Sequence, residues 1–157
     1  MFRPSVVSAL TLLVSMGCCA QAQTKDAPDP FRNESVVLER SDTTYIMHAD
    51  ATGERDLHVR VRIQSDGAVQ QFGVLSFSYA SASETPVIKV ARVIKPDGSI
   101  VETPVSDAID MPAPVSRQAP LYSDLKEKQL PIRSLSRGDT LEYQVDTLIN
   151  KAETPDQ

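Results

Sequence analysis

At 157 residues the chain has room for one domain with a single core, and it carries no internal repeat or heptad pattern. Sixteen basic residues against 21 acidic ones give a formal charge of −5, and Arg and Lys are interleaved with Asp and Glu. That distribution argues against nucleic acid as a partner, which calls for a clustered basic excess.

The N-terminus reads as a secretion leader. Arg3 supplies a positive start, residues 6–16 are largely apolar, and Ala20-Gln21-Ala22 forms an A-x-A site for cleavage before Gln23. Its apolar stretch is too short to span a bilayer, and no other segment is apolar enough to cross one. Cleavage there removes both cysteines, Cys18 and Cys19, so the product has no thiol nucleophile, thiolate ligand or disulfide in a compartment where disulfides could form. It also shifts the net charge to −6, because Arg3 is the one charged residue removed. The alternative is a lipoprotein signal acylated at Cys18 or Cys19. The usual aliphatic residue three positions before is replaced by Ser15 or Met16, and only Gly17 fits, so soluble export to the periplasm or medium is preferred.

Residues 23–34 carry two prolines and mixed charge without periodicity, which predicts a flexible tether, with the ordered domain over 35–149 and a tail at 150–157. Leu57, Val59, Val61 and Ile63 alternate with His58, Arg60, Arg62 and Gln64, the period-2 pattern of a half-buried strand. Residues 43–48 are rich in β-branched and aromatic types, and Ala51-Thr52-Gly53-Glu54 offers a glycine for positive φ, so the two runs predict a hairpin. Residues 68–72 suit a short helical turn, and 73–79 and 87–94 have strand composition. Pro96-Asp97-Gly98 closes a turn into a short strand at 100–102. Pro104, Pro112, Pro114 and Pro120 predict an extended loop or edge over 103–120. Residues 126–132 and 140–149 are expected as a last strand pair around Arg137-Gly138-Asp139. Short strands at even spacing without a long helix predict an all-β, antiparallel sandwich.

No catalytic residue, cofactor or metal site is expected. A papain-type site needs a thiolate beside an imidazole, and a serine triad needs a nucleophile near His48 or His58, for which no G-x-S-x-G pattern exists. The predicted hairpin would bring His48 and His58 near each other with Asp50, Glu54 and Asp56 around them, too few defined ligands for structural zinc, so a solvated pair is expected. The row His58, Arg60, Arg62 is expected as an ordinary solvent face. Phe72, Phe77, Tyr79, Tyr122 and Tyr143 are expected in core packing in preference to a sugar platform, and the proline-rich segment as a stiff connection in preference to a polyproline ligand.

One ordered series resembles a known family: Phe72-Gly73, Tyr79, Ala91-Arg92-Val93, Pro96-Asp97-Gly98-Ser99, Ala119-Pro120-Leu121-Tyr122-Ser123-Asp124 and Gly138-Asp139-Thr140-Leu141-Glu142-Tyr143. It is similar to the domain of unknown function that precedes transglutaminase-like domains in exported bacterial proteins. The resemblance covers about residues 35–149. It implies an immunoglobulin-like sandwich beside a Cys-His-Asp catalytic domain, and it assigns no catalytic residue to the sandwich itself. Against that family's usual architecture, the end at Gln157 leads to the expectation of a sandwich lacking its last strands, from a truncated reading frame or one with a separately encoded partner. Two functions follow: a noncatalytic module that docks or positions a transglutaminase-like peptidase or another envelope protein, or an independent binder of a cell-envelope polymer such as a glycan.

Overall fold

A computed structural model of the chain describes residues 30–118 and 124–150. In chain order the elements are β1 (Val36–Met47), β2 (Gly53–Ile63), α1 (Asp66–Phe72), β3 (Val74–Ala80), β4 (Glu84–Ile94), β5 (Ile100–Glu102), a 3-10 turn (Val105–Asp107), β6 (Ile109–Pro112), α2 (Pro114–Gln118), β7 (Leu125–Pro131) and β8 (Thr140–Ile149). Five strands form one sheet in the order β1-β2-β8-β4-β5, and three form the other in the order β3-β7-β6. Every pairing is antiparallel. The fold is an antiparallel β-sandwich, as the strand spacing predicts.

The alternation in β2 sets the packing. Val59, Val61 and Ile63 are buried while Arg60 and Arg62 face the other way. Val61, Ile63, Val93 and Leu141 of the larger sheet pack with Leu75 of the smaller sheet and Ala68 of α1. Ile88, Ala91 and Val145 pack with Leu130. Phe77, Ile132 and Tyr143 touch both clusters and join them. In β4 the phase changes at a bulge between Ile88 and Val90, so Pro86 and Ile88 point inward before it and Ala91 and Val93 after it. α1 begins at Ser65, whose hydroxyl accepts the Ala68 N–H at 3.1 Å, and Asp66 adds a negative charge in its first turn.

Two expectations need correction. Residues 126–132 and 140–149 do not pair with each other: β7 lies between β3 and β6, and β8 lies between β2 and β4. The connection crosses from one sheet to the other, with Ile132 N–H donating to the Gly73 carbonyl and Leu135 packed on the core. The β1–β2 hairpin exists, but its positive φ falls on Ala51 (64°), not on a glycine. Gly53 stands in strand β2 for a different reason: a Cβ there would lie 2.3 Å from the Ile46 carbonyl oxygen. The edge expected within 103–120 is present as β6, an edge strand of the smaller sheet that ends at Pro112, and the 3-10 turn and α2 accompany it. Ahead of β1, residues 30–34 include a turn in which Glu34 N–H donates to the Phe31 carbonyl at 3.0 Å.

The smaller sheet covers the larger one unevenly. Residues Val105, Ser106, Ala108 and Lys128 line a cleft with β4, so β6 lies toward that side and the free edge of β3 faces β2 and β1. In register, Leu38 stands opposite Val61, Tyr45 opposite Arg55 and Met47 opposite Gly53, which places all three on the inner face. They are nevertheless 61%, 61% and 59% exposed. The smaller sheet therefore stops short of β1.

Candidate functional site

Three polar or open features could carry function. The first is the outer face of the larger sheet. Glu142 of β8 sits between an imidazole and a guanidinium: His58 Nε2 is 2.9 Å from its Oε1, and Arg92 Nε donates to its Oε2 at 2.9 Å. Burial alone would push the Glu142 carboxyl up, but hydrogen bonds and charge from Arg92 and His58 outweigh it and hold it below its ordinary value. Beside this group, Arg60 donates to Glu39 at 3.0 Å and Arg62 lies 3.5 Å from the same carboxylate. The basic row is thus half-buried and interleaved with β1 and β8 carboxylates, not the plain solvent face expected of it. Alternation placed it correctly; the partners were out of reach, because Glu142 is 84 residues from His58.

Farther along the same face, Asp56 and Asp146 stand directly opposite across the β2–β8 pair. The Gln144 amide donates to Asp56 at 2.6 Å, and this bond, helped by one with Asp146, lowers the Asp56 carboxyl. Asp146 is raised by burial and by Asp56, against the pull of Lys89 at 3.1 Å. Two carboxyls in register this way disfavour each other's charged form, and the cost falls on Asp146. His48 belongs to the turn after β1, where its N–H donates to the Thr52 carbonyl, while His58 faces Asp42 and Gln144 on the neighbouring strands. The expected His48–His58 pair does not form. Asp50 serves the turn, its Oδ1 accepting the Thr52 hydroxyl at 2.7 Å and N–H at 3.1 Å. His58 and Glu142 make an imidazole–carboxylate pair, but the third member is a guanidinium in place of a hydroxyl, so the arrangement neutralises charge and activates no nucleophile.

The second feature unites two of the sequence motifs. Asp139 is 2% exposed and accepts from Lys95 Nζ at 2.8 Å and from Ser136 N–H at 2.7 Å. Lys95 also donates to the Ser134 carbonyl. The Pro96-Asp97-Gly98-Ser99 turn is held by Gly98 at φ 84° and by Asp97 Oδ1, which accepts the Ser99 N–H and hydroxyl. Gly138, at φ 93°, lies so that a Cβ would be 3.7 Å from Pro96 Cγ. The two turns therefore form one corner of the sandwich, a structural device.

The third feature is a cavity of about 250 Å3 between the sheets at their open side, lined by Arg55 and Leu57 of β2, Ser76 to Tyr79 of β3, Pro86, Val145 and Thr147. Phe77 packs on Tyr143 with ring centroids 5.8 Å apart, as the core reading of the aromatics expects. The Tyr79 hydroxyl donates to Asp110 at 2.9 Å; burial, then that carboxylate, raises the phenol to about 12. Arg55 and this cavity went unnoticed in the sequence, since the strand pattern marks Arg55 only as an arginine on the inward phase. The cleavage residues Ala20, Ala22 and Gln23, with Cys18, Cys19 and Tyr122, lie outside the described residues. Among the described residues no group of three or more His, Cys, Asp or Glu could hold a metal ion, and no helix is long and apolar enough to cross a membrane.

Comparison with known proteins places this geometry in context. A candidate protease from Parabacteroides distasonis ATCC 8503 has a similar fold, with a TM-score of 0.69 and 20% identity. The likeness covers 77% of this chain but 24% of that protein, so this chain spans about a quarter of its length. A CBM3a-L domain with flanking linkers, from a Clostridium thermocellum cellulosome scaffoldin, gives a TM-score of 0.41 at 12% identity over 74% of this chain and 68% of its own, which falls short of a shared fold. No curated protein matches the sequence. Residues 49–157 match the family DUF3857, described as a domain of unknown function with a solved structure. This chain is a member of the DUF3857 family.

Proposed function

We propose that this chain is an exported, noncatalytic β-sandwich module that docks or positions a protein partner, in the setting of transglutaminase-like peptidases. The observation that carries the reading is the open side of the sandwich, where, among the described residues, β1 and β3 each have an unpaired edge and the inner face of β1 is exposed. Free edges and uncovered apolar side chains are what a second polypeptide binds. Membership in DUF3857 and the presence of the same fold within a much longer candidate protease agree with an accessory role. Cleavage before Gln23 would leave the chain without a thiol, so any Cys-His-Asp chemistry would come from the partner.

Intact mass and N-terminal sequencing of the periplasmic protein should find Gln23 first and no mass added by iodoacetamide; a diacylglycerol-modified Cys18 or Cys19 would replace soluble export with a lipid anchor. The purified protein should neither cleave nor cross-link peptides. A transglutaminase-like protein expressed from the same locus should raise its Tm by linkage of binding to folding. Peptide cleavage by the chain alone, or a Tm indifferent to that protein, would refute the docking role.

A further inference from the structure

The free edge of β3 and the 250 Å3 cavity are parts of one surface. β3 contributes Ser76, Phe77, Ser78 and Tyr79 to the cavity wall, while the far wall is Arg55 and Leu57 of β2. A strand added to β3 would lie 4.7–4.9 Å from it, over the inner face of β2 and β1 that the smaller sheet fails to cover. Its floor would be Tyr45 and Met47, both exposed. Alternate residues of the seven in β3 offer backbone N–H and C=O groups on the side away from β7, and such groups bind an extended chain in any sequence.

Sequence preference comes from what lies beneath. Leu57, Phe77, Pro86 and Val145 make the apolar part of the cavity. Arg55 is the cation on that face. Its Nη2 makes a long hydrogen bond to the Thr147 hydroxyl (3.4 Å), and among the described residues no carboxylate lies within ion-pairing distance of it. The arginines of the outer face differ: Arg60, Arg62 and Arg92 each have a carboxylate beside them. A half-buried guanidinium at the edge of an apolar cavity suits a carboxylate brought by a ligand.

We propose that the open side binds an extended peptide by strand addition to β3, with an apolar side chain in the cavity and a carboxylate two residues away on Arg55. The two-residue spacing follows from the pleat, because alternate side chains of the added strand face the floor. This site rests on the docking role and names the chemistry of the segment docked: apolar, any residue, acidic.

The test is an NMR titration of the full exported chain with the probe acetyl-Thr-Thr-Val-Thr-Glu-Thr-Thr-amide and with two analogues, Glu to Gln and Val to Ala. Amide shifts should concentrate on β3 and on Arg55 and Leu57, and each analogue should bind about 5- to 20-fold more weakly. In Arg55→Gln protein the Glu and Gln probes should bind alike, and Arg55→Lys should restore part of the difference, an outcome that general loss of folding would not produce. Absence of saturable binding, shifts confined to another surface, or an unchanged Glu preference in Arg55→Gln would overturn the site. Those failures would leave the docking role standing, since the Tm shift with the locus-encoded partner does not depend on this probe.

Discussion

The corner held by Asp139 and Lys95 gives the sharpest test of what stabilises the sandwich. The Asp139 side chain is 3% exposed and that of Lys95 is 22% exposed, so the two charges are desolvated unequally. Lys95→Met leaves the deeper charge with the Ser136 N–H as its remaining donor among the interactions described above, and breaking a buried pair in that direction costs about 3–4 kcal/mol. Asp139→Asn is milder. The amide oxygen can still accept the Ser136 N–H, and the Lys95 ammonium keeps contact with water and the Ser134 carbonyl, so the cost should be about 2 kcal/mol. The double variant removes both charges together and should cost about 2–3 kcal/mol, well below the sum of the singles. Urea melts of the four proteins at constant m value measure the cycle. Equal, additive costs for the two single variants would refute the asymmetry argument, because they would mean that neither charge depends on the other.

Three further outcomes follow from the two faces of the larger sheet and from its glycines. Val61→Asp puts an unpaired carboxylate at a position 3% exposed and should cost at least about 4 kcal/mol, whereas Arg60→Asp, beside Glu39 and opposite Glu142, should cost about 1–2 kcal/mol and Arg60→Gln under about 1 kcal/mol; indistinguishable Arg60 variants in denaturant melts would dismiss the outer-face repulsion. Asp146 is raised in the folded state, so its contribution is favourable at low pH and is lost as pH rises through the folded value. Asp146→Asn should therefore be more stable than wild type at pH 7 by up to about 1 kcal/mol, a gain that vanishes below 3.8; Glu142→Gln has the opposite sign, because a lowered carboxyl stabilises above 4.5 and loses that effect as pH falls through its folded value. Gly53→Ala drives a methyl into the Ile46 carbonyl and should cost more than about 2 kcal/mol, while Gly98→Ala, with open space and only φ 84° against it, should cost about 1 kcal/mol; thermal melts that reverse the order would show that the hairpin yields.

Much of the fold was legible because a strand with one wet face writes its phase into the sequence. Leu57 to Ile63 shows this best, and the Pro96-Asp97-Gly98 turn is a local signal with a local cause. What failed was pairing across the gap between β7 and β8. A hairpin loop and a sheet-to-sheet crossing share turn-forming residues, and only Leu135 and Ile132 packing on the core separates them. At the candidate site, the outward phase of His58 and Arg60 was visible, while Glu142 and Arg92 were not linked to them because tertiary pairing carries no periodicity. Arg55 was hidden for the opposite reason. Its inward phase is readable, but only the shortness of the smaller sheet leaves an inward arginine beside open space.

Two of the motifs that carry the family likeness, the Pro96-Asp97-Gly98-Ser99 and Gly138-Asp139 turns, lie at the end of β2 opposite Arg55, whereas a third, Tyr79, lines the cavity itself. Ile63 bonds to both residues of the Gly138-Asp139 turn, its N–H to the Asp139 carbonyl at 2.8 Å and its carbonyl to the Gly138 N–H at 2.7 Å, whereas Arg55 stands eight residues back along the strand. At about 3.3 Å per residue that separation is roughly 26 Å. Pro96-Asp97-Gly98-Ser99 and Gly138-Asp139 need their glycines for positive φ and their aspartates for turn hydrogen bonds, so a chain can hardly change them and keep the corner. Arg55 is under no such local demand: its one long bond to Thr147 does little for the fold. A likeness built on the corner therefore reports architecture, while the choice of partner rests on inward residues of β2 and on the edge of β3, which can vary without disturbing the turns that make the family recognisable.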